Sequence, residues 1–72
     1  MKKIVIHYDK EGDILEITLG RLVESVGREV DDDVFEHRDK EGNIVGLTVI
    51  NFKKRLLKGK SLDMELPVNL PI

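Results

Sequence analysis

The tetrapeptide "DKEG" stands at residues 9–12 and again at residues 39–42, and the way it turns the chain decides the fold. A type I turn favours Asp at its first position and Gly at its fourth, and both copies supply them. In a three-residue hairpin loop the Gly adopts the left-handed conformation and forms a bulge with the residue that follows, a state it reaches without a Cβ clash. The sequence therefore predicts two β-hairpins, each with a Lys-Glu-Gly loop, a type I turn and a G1 bulge.

The two turns sit inside a longer self-similarity. "HYDKEGDILEITL" (residues 7–19) aligns with "HRDKEGNIVGLTV" (residues 37–49) at a constant offset of about thirty residues. An internal duplication explains this, and so does the use of one good turn twice. The predicted loop sets Asp9 against Asp13, Tyr8 against Ile14, His7 against Leu15 and Val5 against Ile17. Paired residues share a face of the sheet. One face of the first hairpin then carries Val5, His7, Leu15, Ile17 and Leu19, and that of the second carries Phe35, His37, Val45, Leu47 and Val49. Ile4, Ile6, Tyr8 and Ile14 are left on the other side of the first hairpin, where something must cover them.

The remaining segments complete an α+β domain. The alternation Glu24-Val26-Arg28-Val30 predicts a third strand near residues 25–30, interrupted by Gly27. "NFKKRLLKG" (residues 51–59) predicts a short helix near residues 52–58, with Asn51 as N-cap, Phe52 and Leu56 on one face and Gly59 past the C-terminus. In "LDMELPVNLPI" (residues 62–72) every even position is apolar, the mark of an extended segment with one buried side. Pro67 and Pro71 donate no ladder hydrogen bonds, which makes the later part an edge strand or an arm. The expected organisation is one β-rich domain over residues 1–60, a small antiparallel meander of about five strands with one helix, followed by a C-terminal extended arm over residues 61–72.

Composition narrows the class. Seventy-two residues are close to the lower limit for a domain that folds alone, and no cysteine supplies a disulfide or a thiolate metal site. Self-association or a bound partner is therefore expected as a source of stability. The net charge of -2, with both signs mixed through 36% charged residues, argues against a nucleic-acid or anionic-membrane binder. No apolar run approaches the length of a membrane span, and the start "MKKIVIHYD" is too short in its apolar part for a signal peptide. The expected location is the cytoplasm.

Several motifs invite chemical readings, and each has a plainer one. His7 and His37 each precede an Asp by two residues, a spacing that puts imidazole and carboxylate on one strand face, so His7, Asp9, His37 and Asp39 form a conceivable metal-hydrolase set. A mononuclear site needs three or four converging ligands, and a half-buried histidine at the rim of an apolar face is the simpler reading. Asp9, Glu11 and Asp13 faintly resemble a calcium loop, but Gly12 falls at the fourth position rather than the sixth. Asp31, Asp32 and Asp33 read as a solvated turn, since no nucleophile, oxyanion hole or phosphate loop accompanies them. The run Lys53, Lys54, Arg55, Lys58 and Lys60 lacks interleaved aromatics and reads as a charged helix face. No catalytic, metal or cofactor site is predicted. The candidate partner-binding residues are Leu62, Met64, Leu66, Val68 and Leu70 of the arm, with Lys53, Lys54 and Arg55 of the helix.

The order "YDKEGDILEITL", "ES" then "REVDDD", "DKEGNIVGLTVIN" and a basic "KKRL" resembles the prokaryotic family known as domain of unknown function 2283, over about residues 4–56. The chain departs from that pattern by Val26 and Gly27 between "ES" and "REV", and by Asp33 where glycine is common. The resemblance implies a small β-rich fold, and it brings no activity and no catalytic residues. An association of such proteins with small toxin-like neighbours implies an antitoxin-like role. The resulting expectation is a non-enzymatic module that binds a protein partner through its alternating arm. The alternatives are a homodimer or larger homo-oligomer that exchanges arms, and the His/Asp metal-dependent hydrolase.

Overall fold

A computed structural model describes residues 3–61. Five strands, β1 (Ile4–Asp9), β2 (Ile14–Leu19), β3 (Val26–Asp31), β4 (Val34–Arg38) and β5 (Ile44–Ile50), precede one helix, α1 (Phe52–Leu57). All strand pairs are antiparallel, and the sheet order is β1-β2-β5-β4-β3. The fold is thus the expected small α+β domain. The hairpin β1–β2 lies beside the meander β3–β4–β5, and the two meet where β2 pairs with β5. Of the arm expected over residues 61–72, residues 62–72 lie outside the described residues, as do residues 1–2.

The second hairpin turns as its sequence predicts. Gly42 takes φ +83°, its N–H donates to Asp39 O at 3.1 Å, and the Asp39 N–H donates to Asn43 O at 3.0 Å. The first hairpin does not. Its loop holds four residues, 10–13, and the left-handed position falls on Asp13 (φ 55°) instead of Gly12. Asp is among the few non-glycine residues that accept this conformation. What holds it there is tertiary, because Asp13 receives hydrogen bonds from α1 and from Tyr8, as described below.

That extra loop residue shifts the β1–β2 register by one, to Tyr8↔Leu15, His7↔Glu16 and Ile6↔Ile17. A one-residue slip exchanges the two faces of a strand. Ile4, Ile6 and Tyr8 therefore join Leu15, Ile17 and Leu19 on the core side, and Val5 and His7 move to the other face with Glu16 and Thr18. The expected grouping of Val5 and His7 with Leu15 and Ile17 is overturned. In the second hairpin a bulge has the same effect. Arg38 pairs with Ile44 but His37 pairs with Gly46, so Val45 is the additional residue. Beyond it Val34 faces Val49 and Glu36 faces Leu47, while Phe35 and His37 lie on the opposite face with Thr48 and Gly46. Phe35 and His37 were expected beside Leu47 and Val49, and the bulge separates them.

Val34, Leu47 and Val49 form the buried centre, with Leu15, Ile17 and Phe52 packed against it. Val49 is fully buried. The self-similarity has a geometric counterpart here, because Ile17 and Leu47 occupy equivalent positions in the two copies and are also direct partners across β2 and β5. The two hairpins are thus related by a local two-fold axis through that pair. Close backbone approach at this junction needs a glycine, since a Cβ on Gly46 would lie 2.9 Å from the Ile17 carbonyl oxygen.

Helix α1 follows β5 directly and sits at the end of the sheet where the 10–13 and 32–33 turns also lie. Asn51 does not cap it through its side chain, contrary to expectation. The residue is left-handed (φ 56°), and its Nδ2 donates to Asp33 Oδ2 at 3.1 Å. Phe52 packs inward, whereas Leu56, expected on the same face, is exposed. The C-terminal end agrees with its sequence. Gly59 is left-handed (φ +72°), its N–H donates to Leu56 O, and the Lys60 N–H donates to Arg55 O, the paired bonds of a Schellman cap.

Truncating Leu47 to Ala at the two-fold junction should cost about 2–5 kcal/mol. A domain of this size has a total stability on the order of 5 kcal/mol. Urea titration of the variant should show a midpoint far below that of the parent, or no folded baseline at all.

Candidate interaction surface

Two surfaces stand out, the α1 end of the sheet and the free edge of β1. The α1 end is organised by Asp13. Tyr8 donates its hydroxyl to Asp13 Oδ1 at 2.6 Å, the Lys53 backbone N–H donates to the same oxygen at 2.9 Å, and the Phe52 N–H donates to Asp13 O at 3.1 Å. The cap for the helix N-terminus thus comes from a residue far away in sequence. The Tyr8 and Phe52 rings meet edge to face with centroids 6.1 Å apart, which closes the apolar side of the same contact.

At its other end α1 is tied to the β3–β4 turn by Arg55. The guanidinium donates to Asp31 Oδ2 at 2.8 Å, to Asp32 O at 3.2 Å and to Ser61 O at 3.0 Å, and the side chain is only 9% exposed. Of the helix residues singled out from sequence, Arg55 is therefore engaged within the chain, while Lys53 and Lys54 present their side chains to solvent. Lys54 and Arg55 border a cavity of about 300 Å³ with Lys58, Lys60, Glu29 and Asp33. The arm residues Leu62, Met64, Leu66, Val68 and Leu70 lie outside the described residues.

The histidines do not form a joint site. β2 and β5 separate the strand of His7 from that of His37, and Asp9 and Asp39 lie at opposite ends of the sheet. His37 Nε2 shares a hydrogen bond of 2.7 Å with Thr48 Oγ1. Its ring lies against Gly27, where a Cβ would come within 3.2 Å. Beside it, a groove of about 190 Å³ runs between the sheet and residues 22–25, bordered by Glu16, Thr18 and Thr48. Among the described residues, no group of three or more His, Asp or Glu side chains is placed to hold a metal ion, and no helix is long and apolar enough to cross a membrane.

Sequence reasoning missed the β1 edge. Every residue of β1 is exposed, and Ile4, Val5, Ile6 and Tyr8 are among the exposed large hydrophobic side chains, Ile6 at 66%. One rim of the strand pairs with β2; the other has no partner among the described residues. The Lys3 carbonyl accepts from the Gly20 N–H, so the odd-numbered residues direct their backbone groups to β2. Ile4, Ile6 and Tyr8 therefore present theirs outward. The run "IVIHY" with its lack of Lys or Pro was the available signal, since such residues ordinarily blunt an open edge.

Residues 5–53 match the family described as protein of unknown function DUF2283. The chain belongs to that family. The DUF2283 match begins in β1 and ends at Lys53, so it takes in all of the sheet but Ile4, and the Asp13 junction, but not the arm. No curated protein and no solved structure matches the chain.

Three aspartates have pKa values held below the ordinary 3.8. Asp13 is lowered first by the Tyr8 hydroxyl and then by the Lys53 N–H, Asp31 by Arg55 and then the Asp32 N–H, and Asp39 chiefly by the Asn43 N–H. Tyr8 is raised above 10.0, because its ionised form would lose the bond it donates to Asp13. A depressed carboxylate contributes stability that is present above its unfolded value and lost as pH falls through the folded one. Urea midpoints should therefore decline below about pH 4. Asp13→Asn, which keeps an acceptor and tolerates the left-handed backbone, should show a shallower decline than the parent.

Proposed function

We propose that this DUF2283 protein is a non-enzymatic interaction module that gains stability and function by covering its apolar surface with a protein partner. One observation carries the reading. Among the described residues ten large hydrophobic side chains are exposed and only five are buried. A single sheet with one six-residue helix leaves much of its apolar surface open, and where such side chains lie together they mark a binding surface. The exposed side chains include Ile4, Ile6 and Tyr8, on the same sheet face as the core, and Leu56 and Leu57 on α1.

The alternating arm is the proposed contact element, with Leu62, Met64, Leu66, Val68 and Leu70 as one apolar side, and the exposed Lys53 and Lys54 of α1 are proposed to add charge to the contact. Strand addition or burial of that side supplies the affinity. An antitoxin-like role is the form this takes if the partner is a small toxin. The affinity-tagged full-length chain, incubated with a lysate of its source cells, should retain a stoichiometric partner. The double variant Leu66→Asp and Leu70→Asp should retain it at least about tenfold more weakly, since two buried apolar contacts are lost. Equal retention by both chains would remove the arm from the interface.

A further inference from the structure

We propose that the free edge of β1 pairs with β1 of a second copy, making a symmetric dimer with one continuous sheet. The occupant is chosen by the strand itself. Its outward backbone groups belong to Ile4, Ile6 and Tyr8, three positions centred on Ile6. A two-fold axis through Ile6 sets Ile6 against Ile6 of the second copy and Ile4 against its Tyr8. All three outward residues of each chain then pair with outward residues of the other, giving about six inter-chain backbone hydrogen bonds. Among the described residues, an axis through Val5 or through His7 leaves one of the three without such a partner.

Side chains agree with the same axis. Ile4, Ile6 and Tyr8 lie on the core face, so the contact extends the apolar side of both sheets across the junction. On the opposite face Val5 meets His7 of the second copy, and Lys3 meets its Asp9. Lys3 is exposed. Asp9 Oδ1 accepts from the Glu11 and Gly12 N–H groups, and Asp9 Oδ2 has no hydrogen-bond partner among the described residues. Each end of the paired strands thus closes with an opposite-charge pair, in an isologous interface where every contact off the axis occurs twice.

The internal repeat supports the position of the interface. β4 stands to the second hairpin as β1 stands to the first, and the outer edge of β4 is occupied by β3. The outer edge of β1 has the same geometry, and no described strand fills it. A second copy supplies there what β3 supplies on the other side, and it does so without the arm.

The test uses the full-length chain. Light scattering at high micromolar concentration should give twice the 8.2 kDa of one chain. Ile6→Lys places like charges at the axis and should weaken the dimer at least about tenfold. Circular dichroism should stay unchanged, because the side chain is exposed. Leu66→Asp with Leu70→Asp should leave the dimer intact, which separates this interface from an exchange of arms. The chain has no cysteine, so Ile6→Cys should oxidise to a covalent dimer much faster than Val26→Cys on the other edge. A monomeric mass, a dimer that survives Ile6→Lys, a dimer lost in the arm variant, or equal rates for the two cysteines would each overturn the proposal.

Discussion

The structure turns on the left-handed backbone of Asp13 and the three hydrogen bonds that converge on that residue. A four-residue loop ending at Asp13 puts Tyr8 opposite Leu15, and that register places Ile4, Ile6 and Tyr8 on the side that carries the core. The same residue receives the Phe52 and Lys53 N–H groups and the Tyr8 hydroxyl, so helix position and strand register are fixed together. A three-residue loop with Gly12 left-handed satisfies the turn locally. It would also exchange the faces of β1 relative to β2 and displace Asp13 from the Tyr8 hydroxyl and the α1 N–H groups, and those three hydrogen bonds outweigh the preference of a single turn residue.

Much of the fold was legible in the residues. The repeated turn located the two hairpins, alternation placed β3 to within a residue, Gly42 and Gly59 fell where a bulge and a Schellman cap need them, and the basic segment after β5 is the helix. What eluded sequence reasoning was register, and in both hairpins for the same physical reason. Local turn chemistry sets the pairing only up to the first irregularity, and the Val45 bulge and the Asp13 loop each add one residue beyond it; at Asp13 the added residue is held by tertiary hydrogen bonds. Asn51 shows the same limit. Its identity suits an N-cap, yet its amide goes to Asp33 and the cap comes from Asp13.

The candidate surface was less legible than the fold. The arm is conspicuous in sequence because its alternation is uninterrupted, while β1 is inconspicuous because its apolar residues look like ordinary strand core. Only the sheet order reveals that β1 is an edge, and only its register with β2 shows that the outward backbone groups belong to Ile4, Ile6 and Tyr8. The histidines illustrate the converse. Their matched spacing suggested a shared site, and the two-fold relation of the hairpins instead sends them to different strands with β2 and β5 between. The repeat is thus structural, with Ile17 and Leu47 at its axis.

Register is open to direct measurement. In an antiparallel ladder the non-hydrogen-bonded pairs bring opposing Cα atoms to about 4.5 Å, close enough for strong Hα–Hα nuclear Overhauser effects. The expected spectrum has such cross-peaks between Ile6 and Ile17 and between Tyr8 and Leu15. Cross-peaks joining Ile6 to Glu16 and Tyr8 to Ile14 would mean a three-residue loop, and would contradict the role given to Asp13 and the faces derived from it.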